Sequence, residues 1–258
     1  MSIMANRTDS LPVVILCGGK GTRIRGVNDD VPKPMIAVGR YPILVHIMER
    51  YALFGHHRFI LCLGYLGDII CRYFGVTGLS HQKTVRHILP NGIGIEVELV
   101  DTGLDSMTGA RVSQVRDLVA DDFLLTYGDG VSDVNLKDLL TFHSSHSCVM
   151  TLTAVRPPSR FGEVQVGDDG IATSFNEKPQ ASGGLISGGY FACRRGVFEY
   201  LSADSTLVLE AEPMKLMVKE QNLAAFVHTG FWQCMDTYRD WELLNELELS
   251  GAAPWHLS

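Results

Sequence analysis

Three glycines within four residues, at positions 18, 19 and 21, follow directly on the apolar run Val13-Val14-Ile15-Leu16. A short, continuous apolar run of this kind makes a strand buried on both faces. Glycine has no Cβ, so a loop of this composition lets backbone N–H groups come close to a phosphate chain. Arg23 and Lys33 supply fixed positive charge nearby, and Lys33 is held between Pro32 and Pro34, which restrict the backbone on either side of it. These features predict a nucleotide triphosphate site on the first strand of an α/β domain. Two familiar phosphate motifs are excluded by the spelling. A P-loop needs Ser or Thr after its Gly-Lys, and here Gly21 follows Lys20. A dinucleotide fingerprint needs a third glycine three residues after the second, and from Gly21 that position is Ile24.

The rest of the chain is consistent with one large α/β unit. With 258 residues, 46% hydrophobic and 20% charged, it has ample material for a core. The formal net charge of −7 argues against nucleic acid as a polymeric partner. An anionic small molecule then requires local cations, which the cluster Lys20, Arg23, Arg25 and Lys33 provides. No apolar stretch approaches the ~20 residues that a membrane span needs. Residues 1–10 have no apolar signal segment and read as a disordered leader, which points to a cytoplasmic protein. Six cysteines without Cys-x-x-Cys spacing read as buried free thiols in a reducing compartment.

Apolar strand-like runs recur at 13–17, 59–63, 94–100, 123–127 and 148–155, with amphipathic segments between them. Helices are expected from Pro42, where Ile43, Leu44, Ile47, Met48 and Tyr51 share a face, and near 66–74 and 106–119. Alternating strands and helices predict a mostly parallel, Rossmann-like sheet with helices on both faces. After residue 155 the pattern turns β-rich. A hairpin is expected over 161–175 around Gly167-Asp-Asp-Gly170, then a strand over 185–193 and helices near 210–220 and 238–249. One domain over 11–258 follows, with a nucleotide-binding part over about 11–155 and an acceptor-binding part over about 156–258. Its site should lie at the carboxyl ends of the strands.

Asp129, in Tyr-Gly-Asp-Gly, follows the apolar run Phe123–Thr126 and so falls at a strand end. From spacing alone an aspartate between glycines reads first as a turn residue and second as a metal ligand. Gly128 beside it would let the backbone approach a nucleotide.

Gly-Gly-x-Gly-Thr-Arg followed by Pro-Lys-Pro-Met resembles the N-terminal signature of the sugar-1-phosphate nucleotidylyltransferases. Met107-Thr-Gly-Ala-Arg111, Thr126-Tyr-Gly-Asp-Gly130, Asn176-Glu-Lys-Pro179 and Phe231-Trp-Gln-Cys-Met-Asp-Thr237 extend the resemblance over about 13–255. The first and last of these four segments are similar to the glucose-1-phosphate cytidylyltransferase branch. The resemblance implies a nucleotide-diphospho-sugar transferase fold. It also implies transfer of a cytidylyl group from CTP to a hexose 1-phosphate, giving a CDP-hexose and pyrophosphate with Mg²⁺ as cofactor.

Residue by residue, the resemblance gives Arg23 and Lys33 catalytic roles toward the phosphates. It assigns Leu16 through Arg23 (Leu16, Cys17, Gly18, Gly19, Lys20, Gly21, Thr22, Arg23), Lys33, Ser106, Thr108, Gly109, Arg111 and Gly128 to nucleotide binding. Glu177, Lys178, Gly188 and Gly189 fall to the sugar phosphate, and Asp129 with Asp236 to the metal. The family commonly has Thr where Ser106 stands, and the hydroxyl is kept. The stretch from Gly75 to Gly92 is shorter than in typical relatives, in which an insertion there takes part in subunit contacts. A homo-oligomer is still the expectation. The competing readings are a dTTP- or UTP-dependent enzyme, a non-catalytic sugar-nucleotide-binding regulator on the same fold, and, weakest, a nicotinamide oxidoreductase. A regulator would be expected to lose Lys33, Asp129 or Asp236, and all three are present.

Overall fold

All four side chains of strand β1 (Val13–Leu16) are buried. Successive residues of a strand point to opposite faces, so an apolar residue at every position demands cover on both sides. In the computed structural model, Val13 and Ile15 belong to one hydrophobic core, and Val14 and Leu16 to another on the far side of the sheet. The structure describes residues 10–19, 30–157, 162–176 and 184–256. The expected leader, apart from Ser10, lies outside the described residues, as do Lys20, Gly21, Thr22, Arg23, Arg25, Phe161, Glu177 and Lys178.

Seven further strands join β1: β2 (Arg58–Leu63), β3 (Gln82–Ile88), β4 (Gly94–Asp101), β5 (Phe123–Tyr127), β6 (Met150–Val155), β7 (Ile186–Cys193) and β8 (Leu223–His228). Their order across the sheet is β8-β6-β7-β5-β1-β2-β4-β3. β1 is parallel to β2 and β5, β2 to β4, and β6 to β8. β7 runs antiparallel between β5 and β6, and β3 is an antiparallel edge. The sheet is therefore mixed but mostly parallel, as the alternation predicts.

Helices cover both faces. On one side α1 (Ile43–Leu53), α2 (Gly67–Tyr73), α4 (Leu136–Ser144) and α6 (Tyr238–Leu249) contribute Ile47, Ile70, Leu139 and Leu244 to the first core. On the other side α3 (Thr108–Gln114) and α5 (Glu212–Lys219) contribute Val112, Met214 and Met217 to the second. The third expected helix is shorter than its apolar pattern suggested, and a 3₁₀ turn at Arg116–Leu118 replaces its last turn. The hairpin expected after residue 160 pairs Glu163–Val166 with Ala172–Asn176 as a separate two-stranded sheet.

Two strands of the eight-stranded sheet and helix α4 escaped the sequence reading. β3 is polar and largely exposed, and β8 is half-exposed; both are sheet edges, where a one-sided environment removes the apolar run that marks a central strand. Helix α4 buries only Leu136, Leu139, Leu140 and His143, a narrow stripe within a polar segment, although Asn135 caps it by accepting from Lys137 N and Asp138 N.

From β1 the chain fills positions on one side through β2 and β4, then returns to the other side of β1 with β5. The carboxyl ends of β1 and β5 flank that reversal, which is where open α/β sheets bind ligands. Gly18 and Gly128, the loop residues after these two strands, both emerge there.

Two buried histidines tie the fold to pH. His56 Nδ1 accepts from the Leu11 N–H at 3.1 Å, and burial pushes its pKa down to about 4. Burial, with Arg194 and His146 nearby, pushes His143 down to about 3. The unfolded imidazole takes a proton near pH 6.5, whereas each folded one resists it. Their stabilisation is therefore full above that pH and is lost as pH falls toward the folded values. Urea unfolding should show lower stability at pH 4.5 than at pH 7.5. The His56→Gln variant should lose on the order of 2 kcal/mol less than wild type across that interval. An identical pH slope in both proteins would remove His56 from the account.

Candidate active site

Lys33 and two aspartates distant in sequence meet at the reversal point. Lys33 Nζ donates to Asp129 Oδ2 at 2.6 Å and also to Asp236 Oδ1. The lysine side chain is 11% exposed, and the aspartates 30% and 29%. Burial disfavours the ammonium, yet the charges and hydrogen bonds of Asp129 and Asp236 together outweigh it, and the lysine pKa is raised. Lys33 opens a short 3₁₀ turn, Lys33–Met35, anchored by buried Pro34.

Backbone pairing brings the aspartates together. Gly130–Ser132 and Trp232–Cys234 form an antiparallel ribbon with Gly130 opposite Cys234, and Met235 N donates to Asp129 O at 2.8 Å. Asp236 is then fixed from its other side by the start of α6. The Asp240 carboxylate accepts from the N–H groups of Asp236 (3.1 Å) and Thr237 (2.8 Å), while Thr237 Oγ1 accepts from Asp240 N. This capping box at once starts the helix and orients the residue before it. Cys234 lies beside the pair, its Sγ 3.4 Å from Asp236 Oδ2. Burial, and then the charges of Asp236 and Asp129, push its pKa up to about 12, so it stays a thiol and is no nucleophile at neutral pH.

Two cavities adjoin this cluster. The larger, about 870 Å³, is lined by Leu16, Cys17, Gly18 and Gly19, by residues 104–108, and by Lys33, Arg111, Gly128 and Glu210. The smaller, about 340 Å³, is lined by Gly188, Gly189, Ser187, Trp232 and Cys234 among others. Tyr127, Asp129 and Asp236 line both, so the carboxylates stand on the shared wall. Each cavity draws residues from both sides of position 155.

Of the residues expected to bind nucleotide, Leu16, Cys17, Gly18, Gly19, Lys33, Ser106, Thr108, Arg111 and Gly128 line the larger cavity. Gly109 does not. It is buried against Leu207, where a Cβ would lie 3.0 Å from Leu207 Cγ, and its N–H donates to Leu207 O. Its place in the structure is close packing of α3. The Thr108 hydroxyl is also engaged within the protein, donating to Glu210 Oε2 and accepting from Leu209 N.

Gly188 and Gly189 line the smaller cavity, at an irregularity in β7 between Ser187 and Phe191. Gly189 has φ +76°, and a Cβ there would lie 2.5 Å from the Tyr127 ring. Trp232, outside the expected site residues, also lines this cavity and donates from Nε1 to Gly188 O at 2.6 Å. Its place beside Asp236 in the Phe-Trp-Gln-Cys-Met-Asp segment was the available signal. Tyr127 lines both cavities and stands within the segment Thr126–Gly130, which was its signal, whereas Ser187 and Glu210 also line the cavities with nothing in their local sequence to mark them.

Among the described residues, one other group of metal-ligand type side chains comes together: His46, Glu49 and His256. Each already has a structural partner. His46 bonds Val38 O, Glu49 accepts from Asn91 N, and His256 bonds Glu248. The group reads as packing between α1 and the segment after α6.

A family model described as nucleotidyl transferase matches residues 12–241. The chain belongs to the nucleotidyl transferase family. This nucleotidyltransferase is 42% identical over 255 residues to glucose-1-phosphate cytidylyltransferase of Salmonella typhi, across 95% of this chain and 98% of the relative. It is 38% identical over 253 residues to a probable glucose-1-phosphate cytidylyltransferase of Bacillus subtilis (strain 168), across 95% and 99%. Its fold is shared with HddC from Yersinia pseudotuberculosis, with a TM-score of 0.67 at 23% identity over 92% of this chain and 98% of that one. It is also shared with a putative glucose-1-phosphate thymidylyltransferase from Bacillus anthracis, with a TM-score of 0.68 at 18% identity over 96% and 97%. At these identities the two structures speak to fold alone.

Arg111 anchors Gly18, the first glycine after β1 in this nucleotidyltransferase. Its guanidinium is buried and donates to Leu63 O (2.7 Å), Thr102 Oγ1 (2.7 Å), Gly103 O (2.9 Å) and Gly18 O (3.0 Å). A Cβ on Gly18 would sit 2.2 Å from Arg111 Nη1, so only glycine permits this approach. One planar fork thus ties the ends of β1, β2 and β4 together, which a lysine ammonium cannot do. Arg111→Lys should lower stability by about 2 kcal/mol in urea unfolding, because buried carbonyls lose their donors. A variant as stable as wild type would reduce Arg111 to an ordinary cavity-lining residue.

Proposed function

We propose that the chain transfers a cytidylyl group from CTP to a hexose 1-phosphate, α-D-glucose 1-phosphate in the first instance, releasing pyrophosphate and a CDP-hexose. One observation carries the chemistry: a lysine and two carboxylates converge on the wall between two cavities at the sheet's reversal point. The choice of CTP and glucose 1-phosphate rests on the named activity of relatives that match over nearly their whole length.

The reaction joins two polyanions, and each pair of unit charges at about 4 Å repels by roughly 4 kcal/mol at an effective dielectric near 20. The protein's task is to place cations and to hold the attacking phosphate oxygen in line with the α-phosphorus of CTP. No covalent enzyme intermediate is needed. In this reading the larger cavity receives CTP, with the Gly18–Gly19 backbone facing its phosphates and the 104–108 segment facing base and ribose. The smaller cavity receives the sugar. Lys33 reaches the α-phosphate, where charge builds as the bond forms. Arg23 toward the β- and γ-phosphates, and Glu177 with Lys178 toward the acceptor, rest on the motifs that contain them.

The pair Asp129 and Asp236 fits Mg²⁺, since two hard carboxylates already converge on one cation, the Lys33 ammonium. When bound, Mg²⁺ supplies neutralisation of phosphate charge. Asp129 and Asp236 would hold it, and their backbone ribbon and capping box keep both carboxylates directed at the same point.

A pyrophosphate-release screen of CTP, UTP, dTTP, ATP and GTP against several sugar 1-phosphates should give CTP the highest kcat/KM. A clearly higher value for dTTP or UTP would replace the donor, and no release with any pair would favour a binding protein. Lys33→Ala should lower kcat by about 10²–10³ with a smaller change in KM, the pattern for a contact made mainly as charge develops. Wild-type kcat in that variant would exclude Lys33 from the reaction.

A further inference from the structure

In this structure the two carboxylates read as the metal pair already hold a cation. Lys33 Nζ touches Asp129 Oδ2 and Asp236 Oδ1, one oxygen from each. The lysine reaches them from a different part of the chain: its backbone is pinned in the turn Lys33–Met35, and only its flexible stem enters the cluster. The ammonium is largely shielded, with 11% of its side chain exposed. Its charge therefore acts on the carboxylates with little screening.

A divalent ion at the same two oxygens would stand within contact distance of that ammonium. Like charges at such separations repel strongly in a partly buried site. Lys33 in this position and a metal ion on the pair exclude each other. For the metal to enter, Lys33 must swing away, and swinging away strands an ammonium unless another anion takes it. The larger cavity, lined by Lys33 itself and by the glycine loop, is where a phosphate chain would supply that anion.

We propose that Lys33 is the resident cation of the Asp129–Asp236 pair in the free protein, so that the divalent ion is admitted together with the nucleotide phosphates and not before them. The nucleotide draws Lys33 off the carboxylates, and the vacated pair then accepts the metal that the phosphates also need. The lysine thus serves twice: it neutralises the pair when no nucleotide is present and neutralises phosphate when one is. The free protein is thereby kept from holding a bare divalent ion. The inference rests on the proposed function in one respect only, that the carboxylate pair is a divalent-cation site.

The test uses Mn²⁺ as probe, followed by electron paramagnetic resonance of the free ion, on the full chain without nucleotide. Lys33→Met should bind Mn²⁺ at least about tenfold more tightly than wild type, since a positive charge is removed from contact with the site. Adding Asp129→Asn to Lys33→Met should abolish that gain. Thermal unfolding of each variant checks that it folds. On wild type alone, Mn²⁺ without nucleotide should leave the unfolding temperature unchanged, and Mn²⁺ with CTP should raise it beyond the effect of CTP alone. Equal Mn²⁺ affinity in wild type and Lys33→Met overturns the proposal. So does a gain that survives Asp129→Asn, or tight Mn²⁺ binding by nucleotide-free wild type. A protein that turns over CTP but shows one of those results loses this inference alone. A protein that shows the expected Mn²⁺ pattern but releases no pyrophosphate keeps this inference and loses the proposed activity.

Discussion

One ammonium held between two carboxylates is the interaction around which the candidate site is organised. Lys33, Asp129 and Asp236 come from three distant stretches of chain, and a misplacement of any one would break the paired charges of a partly buried place. The fold answers with rigid supports for each. Lys33 stands on a proline-bounded turn, Asp129 follows a fully paired central strand, and Asp236 is locked between a two-stranded ribbon and the capping box of α6. Electrostatic work at such a site depends on groups that are already in place before a ligand arrives.

The central sheet makes that arrangement possible. β1 lies between β2 and β5 with both faces covered, so its carboxyl end is fixed from two sides. Arg111 adds a third constraint by gathering carbonyls from Leu63, Gly103 and Gly18, so the loop after β1 is shaped by a side chain from α3. A glycine at position 18 is needed twice in this reading: for the approach of Arg111 from below, and for the approach of phosphate from above. The first is a contact in the structure, and the second belongs to the proposed function.

The cavities explain why chemistry and architecture coincide. The larger opens along the loops after β1 and β5, and the smaller along the irregular stretch of β7. β7 runs antiparallel beside β5, and Gly189 lets the Tyr127 ring sit where a side chain would otherwise stand. Tyr127, Asp129 and Asp236 divide the two spaces. In the proposed function the phosphates of the two substrates meet at this shared wall.

Much of this was legible in the chain. The apolar runs at β1, β2, β4, β5 and β6 declared central strands, because a strand buried on both faces must be apolar at every position. Gly18, Gly19, Lys33 and Pro34, which local backbone chemistry singled out in the chain, line the larger cavity. Edge strands β3 and β8 and helix α4 were not legible, since partial exposure lets polar residues dilute the pattern. What only tertiary structure decided was proximity. No spacing shows that Asp129 and Asp236 share a cation, that Arg111 is buried beneath Gly18, or that Gly109 turns to Leu207 and not to the cavity. Local sequence fixes which backbone shapes are cheap, whereas the partners of a charge are set by strand order and crossovers, which depend on contacts between residues far apart in the chain.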